Sequence, residues 1–193
     1  MKNKAGRKEI ESMVLETAAG LISKHGFKGW NMEGLAHACG IAKNTLYKIV
    51  GSKEELVERI IMEQTEQTAE YFRAIILNSG GYREAARKLL EEAPRYISNR
   101  NWIMLSDVFV EYPSIRQKVI ERHHQATEAI IGYIRMGQEG GHIRDDVEPE
   151  FLRDLVRGII GHYVRSGLEG EALSRALTKA FTCLREGVRV GSW

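Results

Sequence analysis

Apolar residues recur along this chain at spacings of three and four and nowhere in sustained alternation, so the pattern predicts helices throughout and no sheet. The first stripe is Ile10, Met13, Val14, Thr17, Ala18, Leu21 and Ile22, with Gly26 after His25 as its stop. Asn31 is placed to cap a short second helix whose inner face is Leu35, Ala36 and Cys39. Gly40 permits the positive φ of a sharp turn. The third helix then carries Ala42, Leu46, Ile49 and Val50 on one side and Lys43, Asn44, Thr45, Tyr47 and Lys48 on the others. After a turn at Gly51, with Ser52 as N-cap, a long helix is marked by Leu56, Val57, Ile60, Ile61, Thr65, Thr68, Phe72 and Ile76.

Beyond Gly80 and Gly81 the pattern predicts a helix through Ala85, Ala86, Leu89, Leu90 and Ala93, bent or broken near Pro94. The segment from Trp102 to Tyr112 is apolar nearly all round, as a core element would be. A long helix follows Pro113, with Val119, Ile120, His123, Thr127, Ile130, Ile131 and Ile134 on one stripe, and "GQEGGHIRDDVEP" reads as a loop. Paired apolar positions mark the last two helices: Phe151/Leu152, Leu155/Val156, Ile159/Ile160 and Tyr163/Val164, then Ala172/Leu173, Ala176/Leu177, Ala180/Phe181 and Leu184. The fold class is all-α: an N-terminal three-helix domain followed by a larger helical one.

Composition bounds what such a fold can do. A chain of 193 residues with 43% hydrophobic content can bury a sizeable core. Cys39 and Cys183 provide no disulfide framework, no basic-then-apolar leader is evident, and no apolar run approaches the roughly 20 residues that span a bilayer. The expected setting is the reducing cytoplasm, away from the membrane. The net charge of +2 is unevenly spread: residues 1–53 hold nine Lys/Arg against four Asp/Glu, and the remainder 19 against 22. The basic end coincides with the three short helices.

A helix, a tight glycine turn and a short helix with an apolar back and a hydrogen-bonding front meet the requirements of a helix-turn-helix, whose second helix must enter a major groove roughly 12 Å wide. Other chemistry is poorly supported. There is no Ser/His/Asp arrangement, and "GQEGGHI" lacks the strand that phosphate-cradling loops need. Glu121-x-x-His124 has the local spacing of carboxylate-bridged di-iron bundles, but the second such pair is missing. No catalytic residue, metal or cofactor is expected. The rival reading is a helical-bundle metal-binding protein or enzyme. Cys39 and Cys183 read as packing residues, and His37 as a surface residue.

The stretch "LISKHGFKGWNMEGLAHACGIAKNTLYKIVGSKEEL" resembles the DNA-binding domain of the TetR family of transcriptional regulators, over residues 7 to 56. The resemblance lies in Gly-aromatic, the helix cap, hydrophobic-x-x-hydrophobic-Ala, Gly-Ile, Thr-Leu-Tyr and Ser-Lys-Glu-x-Leu. Ala42, Asn44, Ile49 and Val50 depart from the usual residues, as do Trp30 and Gly34. The resemblance implies that Asn31 caps the second helix and touches a phosphate, that Tyr47 and Lys53 meet the DNA backbone, and that Lys43, Asn44, Thr45 and Lys48 reach base edges. It implies a DNA-binding domain at 1–53, an effector-binding and dimerisation domain at 54–193, and a homodimeric repressor on an inverted-repeat operator in double-stranded DNA.

Two further expectations concern the larger domain. The last two helices carry apolar stripes wider than one intrachain contact consumes, and Gly158 and Gly161 allow close approach. Leu155, Ile159, Tyr163, Leu173, Leu177, Phe181 and Leu184 are therefore expected at a four-helix dimer interface. Phe72, Trp102, Met104, Leu105, Val108, Phe109, His123 and Thr127 are expected to converge on a cavity. In the family such a cavity holds a small organic effector, here a mostly apolar one.

Overall fold

The computed structural model describes residues 2–99, 103–126 and 128–191, without the side chains of 2–7, 103–106 and 123–126. These residues form α1 (Lys2–His25), α2 (Met32–Ala38), α3 (Lys43–Val50), α4 (Lys53–Leu77), α5 (Tyr82–Ser98), α6 (Ile103–Glu111), α7 (Pro113–Ala126), α8 (Glu128–Glu139), α9 (Pro149–Val164) and α10 (Gly170–Val188). Among the described residues the one β-like pairing is an isolated antiparallel bridge between Ile143 and Arg189.

Several boundaries differ from the sequence expectation. The helix α5 is not broken at Pro94 but runs through it to Ser98. Proline forfeits one amide bond, to the Leu90 carbonyl, while burial of Ala85, Ala93, Pro94 and Ile97 holds the rest of the helix in place. Ala42 is exposed and serves as N-cap of α3 rather than as part of its apolar back. The helix α8 takes in Gly137 and Gln138, and the Gln138 side-chain amide then pins the following loop by donating to the carbonyls of Arg144 (3.0 Å) and Val147 (2.8 Å). The segment ending at Tyr112 is not buried all round: Val108 is fully buried, but Val110 is 83% exposed.

The chain divides into two compact units, Met1–Thr65 with Met104–Ile120, and Glu66–Ile103 with Glu121–Trp193. The first unit is built on Val14, Ala18 and Ile22 of α1, Leu35 and Ala36 of α2, Leu46 and Val50 of α3, and Leu56, Val57, Ile60 and Ile61 of α4. Val108, Ile115 and Val119 complete this core. Polar contacts frame it: Arg59 pairs with Glu11, Lys118 with Glu58 at 2.5 Å, and the Ser114 hydroxyl donates to Glu54 at 2.8 Å.

The second unit has two apolar clusters. Ile97, Leu173 and Leu177 are buried with Phe72, Ile159, Ile160, Tyr163, Val164 and Phe181 against them. Ile134, Ile143 and Leu152 form the other, with Tyr82, Ile130, Tyr133, Val147 and Val188. Because α4 is continuous, it supplies core residues to the first unit and Phe72 to the second.

Candidate nucleic-acid interface and ligand cavity

The helix-turn-helix is held by capping and by burial of one face of each short helix. Asn31 is the N-cap of α2, its side-chain oxygen accepting from the Gly34 amide at 2.8 Å. Gly40, with φ of 64°, turns the chain, and the Ile41 amide returns to the Ala36 carbonyl at 3.0 Å. Leu46 and Val50 then anchor α3 by its back. At the far end Ser52 and Glu55 form a reciprocal capping box: the Ser52 amide donates to the Glu55 carboxylate at 2.6 Å and the Glu55 amide to the Ser52 hydroxyl at 3.1 Å. Hydrogen bonding of the carboxylate to Ser52, first to its backbone amide and second to its side chain, holds the Glu55 carboxyl below its ordinary value. Gly51 suits this turn because its φ is 73°, and a Cβ there would lie 2.0 Å from the Glu55 carboxylate and push it out of the capping box.

On this frame Lys43, Asn44, Thr45, Tyr47 and Lys48 are all exposed on α3, and Asn31 is exposed at the start of α2. The Lys43 ammonium lies 3.6 Å from Glu33, with both side chains open to solvent. A pair of that kind is worth about 0–1 kcal/mol, so it leaves Lys43 able to turn to a base. Lys53 stands apart from the other six. Its ammonium sits 4.7 Å from the Trp30 ring centroid and 5.0 Å from that of Phe27, and it donates to the Trp30 carbonyl at 3.4 Å. It therefore ties the entrance of α2 to the start of α4. Trp30 itself is buried, with its indole N–H unpartnered among the described residues. Its neighbourhood in the core includes Leu35, the spacing of a hydrophobic staple. Nothing in the sequence pattern marked Trp30 and Phe27 as the seat of Lys53.

A cavity of about 210 Å³ lies wholly within the second unit, lined by α4, α5, α8, α9, α10 and Ile143. Its wall is almost entirely apolar, with Phe72, Ile76, Leu89, Leu90, Ile97, Ile130, Val156, Ile160 and Leu184 among the contributors. Tyr82, Tyr133 and Arg185 supply its polar atoms. The Tyr82 and Tyr133 rings stack at 5.0 Å, and burial is the main cause that raises both above the ordinary phenol value. Tyr82 also stacks on His142 at 5.0 Å. Gly137 makes room for this arrangement, because a Cβ there would lie 2.5 Å from the Tyr82 ring.

Of the residues expected at a cavity, Phe72 lines this one. Val108 and Phe109 instead pack in or against the core of the first unit, where the amphipathic turn of α6 directs them. Trp102 and Thr127 lie outside the described residues, as do the side chains of Met104, Leu105 and His123. The cavity wall from α5, α8, α9 and α10 was missed by sequence reasoning. The available signal was the breadth of the stripe through Ala85, Ala86, Leu89, Leu90 and Ala93, wider than one helix contact needs.

The same geometry revises the expected interface set. Leu173 and Leu177 are buried inside the unit, and Ile159, Tyr163 and Phe181 pack against them, because these positions face α5 and α4 rather than outwards. Phe181 and Leu184 line the cavity. The outward face of α9 carries Phe151, 54% exposed, Leu155, 37% exposed, and Gly158, whose absent Cβ would meet nothing within 4 Å. Cys183, expected to pack, is exposed. Among the described residues, no three His, Cys, Asp or Glu side chains are grouped to hold a metal ion, and no helix is long and apolar enough to cross a membrane.

Comparison with known proteins agrees with this architecture. The model of the bacterial regulatory proteins, tetR family, matches residues 14–60, which span the second half of α1, α2, α3 and the start of α4. The chain is 25% identical over 178 residues to the HTH-type transcriptional repressor AcnR of Corynebacterium glutamicum, covering 90% of this chain and 92% of that protein. The crystal structure of a putative transcriptional regulator from Saccharomonospora viridis in complex with choline superposes with a TM-score of 0.77 at 18% identity, covering 94% and 98% of the two chains. FadR of Bacillus subtilis, in complex with stearoyl-CoA, does so with a TM-score of 0.69 at 16% identity, covering 91% and 98%. The helix-turn-helix, the all-helical architecture that follows it and these likenesses agree: residues 14–60 match the tetR family of bacterial regulatory proteins, and along its length the chain is similar to transcriptional regulators of that kind.

Proposed function

We propose that this protein is a cytoplasmic, homodimeric repressor that reads an inverted-repeat operator through α3 and leaves it when a small, mostly apolar molecule enters the cavity of the second unit. The observation that carries this reading is the pairing of a buried back and an exposed polar front on α3. Leu46 and Val50 fix the helix, while Lys43, Asn44, Thr45, Tyr47 and Lys48 are exposed outside the core. Lys43, Asn44, Thr45 and Lys48 are the candidates for base edges, and Asn31 and Tyr47 for phosphates. Lys53 contributes by holding the start of α4, whose N-terminal amides and positive pole suit a phosphate. In functional terms residues 1–53 bind DNA and residues 54–193 sense and dimerise.

Dimerisation is assigned to the outward face of α9, around Phe151, Leu155 and Gly158, with the outward positions of α10, exposed Cys183 among them and half-buried Ala176 beside them. Two copies of α9 and α10 would then form a four-helix bundle. Control runs through α4, which contributes Leu56, Val57, Ile60 and Ile61 to one core and Phe72 and Ile76 to the cavity wall. A molecule that displaces Phe72 acts on the same helix that carries the DNA-binding core. Coupling of this kind is reciprocal: an effector that weakens DNA binding tenfold, about 1.4 kcal/mol, must itself be bound tenfold more weakly in the presence of operator.

The test is an anisotropy titration of labelled duplex across a range of salt. Binding should fall log-linearly with salt, and Asn44→Ala with Lys43→Ala should erase sequence preference while leaving a weaker, salt-sensitive residue of binding. Preference that survives this double substitution would overturn the assignment of α3 as the reader.

A further inference from the structure

The ligands bound by the two structural neighbours named above, a choline and an acyl-CoA, have opposite head-group charge, so the shared fold does not select a ligand. The residues of this chain do. Beside the apolar cavity lies an open groove of about 830 Å³, also wholly within the second unit, between α5, the loop after α8 and α10. Tyr82, Ala86, Leu90 and Arg185 line both, so the two spaces adjoin across a shared rim. Five arginines border the groove, Arg83, Arg87 and Arg95 from α5 and Arg185 and Arg189 from the end of α10. Among the described residues two carboxylates share it: Glu91 pairs with Arg87, and Glu186 with Arg185 and Arg189. Among the described residues, no carboxylate pairs with Arg83 or Arg95.

A dry apolar chamber that opens onto a surplus of guanidinium groups fits one class of molecule. We propose that the cavity and groove together bind an amphipathic anion, its apolar part in the chamber and its carboxylate or phosphate head among the arginines. The inference rests on the reading of the cavity as a ligand site and specifies the ligand. The chamber is large enough for an aromatic ring or a medium-length chain, since an apolar cavity of about 150 Å³ already takes benzene. Guanidinium groups favour carboxylate and phosphate through bidentate hydrogen bonds, which a choline-like cation cannot use. At the rim the Tyr82 phenol lines both spaces and carries an O–H able to donate to a head-group oxygen. Arg185 stands at the same rim, lining both the chamber and the groove.

The test uses four probes with the same eight-carbon chain: octanoate, octyl phosphate, octanol and octylamine, titrated calorimetrically into the full-length protein. Octanoate or octyl phosphate should bind at least about tenfold more tightly than octanol, and octylamine most weakly; which anion is preferred separates a carboxylate head from a phosphate head. Raising salt from about 0.1 to 1 M, which shortens the Debye length from about 10 to 3 Å, should narrow the ratio of anion to octanol. Arg83→Gln with Arg95→Gln should narrow it as well. These positions are exposed, and far-UV circular dichroism checks that the variant folds. Equal binding of octanoate, octyl phosphate and octanol, preference for octylamine, or no binding of any probe would overturn the proposal. If the anions bind as expected but leave DNA affinity unchanged, the ligand class stands and effector control of DNA binding falls.

Discussion

Leu177 and Leu155 lie on neighbouring helices, and substituting each should separate the inner core of the second unit from its outer face. Leu177 is fully buried against Ile97 and Phe72, whereas Leu155, on α9, is 37% exposed and borders that helix's outward face. Leu177→Ala removes buried methyl groups and opens a void, at a cost of about 2–5 kcal/mol. For a chain of this size that corresponds to a melting temperature lower by roughly 4–20 °C. Leu155→Glu leaves the isolated subunit nearly unaffected, within about 0.5 kcal/mol, but places charge at the proposed interface. The two effects differ in their dependence on protein concentration, because a dimer is stabilised by mass action and a core is not. Scanning calorimetry over a roughly hundredfold concentration range should show a concentration-dependent melting temperature for the wild type. The same slope, displaced downwards, is expected for Leu177→Ala, and a flat line for Leu155→Glu. Sedimentation should find Leu155→Glu monomeric and Leu177→Ala dimeric. A monomeric Leu177→Ala that melts like the wild type, or a dimeric Leu155→Glu, would refute the assignment of faces.

Gly51→Ala should destabilise the first unit by about 1–2 kcal/mol, because an L-residue is strained at that positive φ and its Cβ would break the capping box; urea unfolding measures it. Tyr71 is pushed up to about 12 by burial first and by its hydrogen bond to Glu92 second, so it binds its proton more tightly folded than unfolded. Its contribution to stability should be complete below pH 10 and lost as pH rises towards 12, and Tyr71→Phe should remove the corresponding late step from a phenolate absorbance titration. On DNA, Tyr47→Phe should weaken all sequences alike, whereas Asn44→Ala should change base preference by about 1–3 kcal/mol, as competition between duplexes would reveal.

Much of the first unit was legible because its signals are local. Gly26, Gly40 and Gly51 are all found at positive φ, Asn31 caps α2 through its own side chain, and the stripe of α1 is buried at Val14, Ala18 and Ile22. The front of α3 could be read for the same reason, since Leu46 and Val50, with Ile49 against the same core, turn Lys43, Asn44, Thr45, Tyr47 and Lys48 to solvent. The second unit resisted because a broad apolar stripe has several possible destinations. Leu173, Leu177 and Phe181 look like an interface until α5 is known to cover them, and sequence spacing does not contain that partner. Val108 and Phe109 failed as cavity residues because α6 and the start of α7 return to the first unit, a long-range choice. The arginine groove was invisible for a related reason: Arg83, Arg87 and Arg95 belong to one helix and Arg185 and Arg189 to another, about a hundred residues away.

The central claim, that α3 of two symmetry-related copies reads DNA, is tested most directly by selecting duplexes from a random pool with the purified full-length protein. The account predicts enrichment of an inverted repeat whose half-site centres lie one helical turn, about 34–36 Å, or a multiple of it apart, with the motif lost from pools selected by Asn44→Ala with Lys43→Ala. A pool that stays random through successive rounds, or an enriched motif without two-fold symmetry, would contradict it.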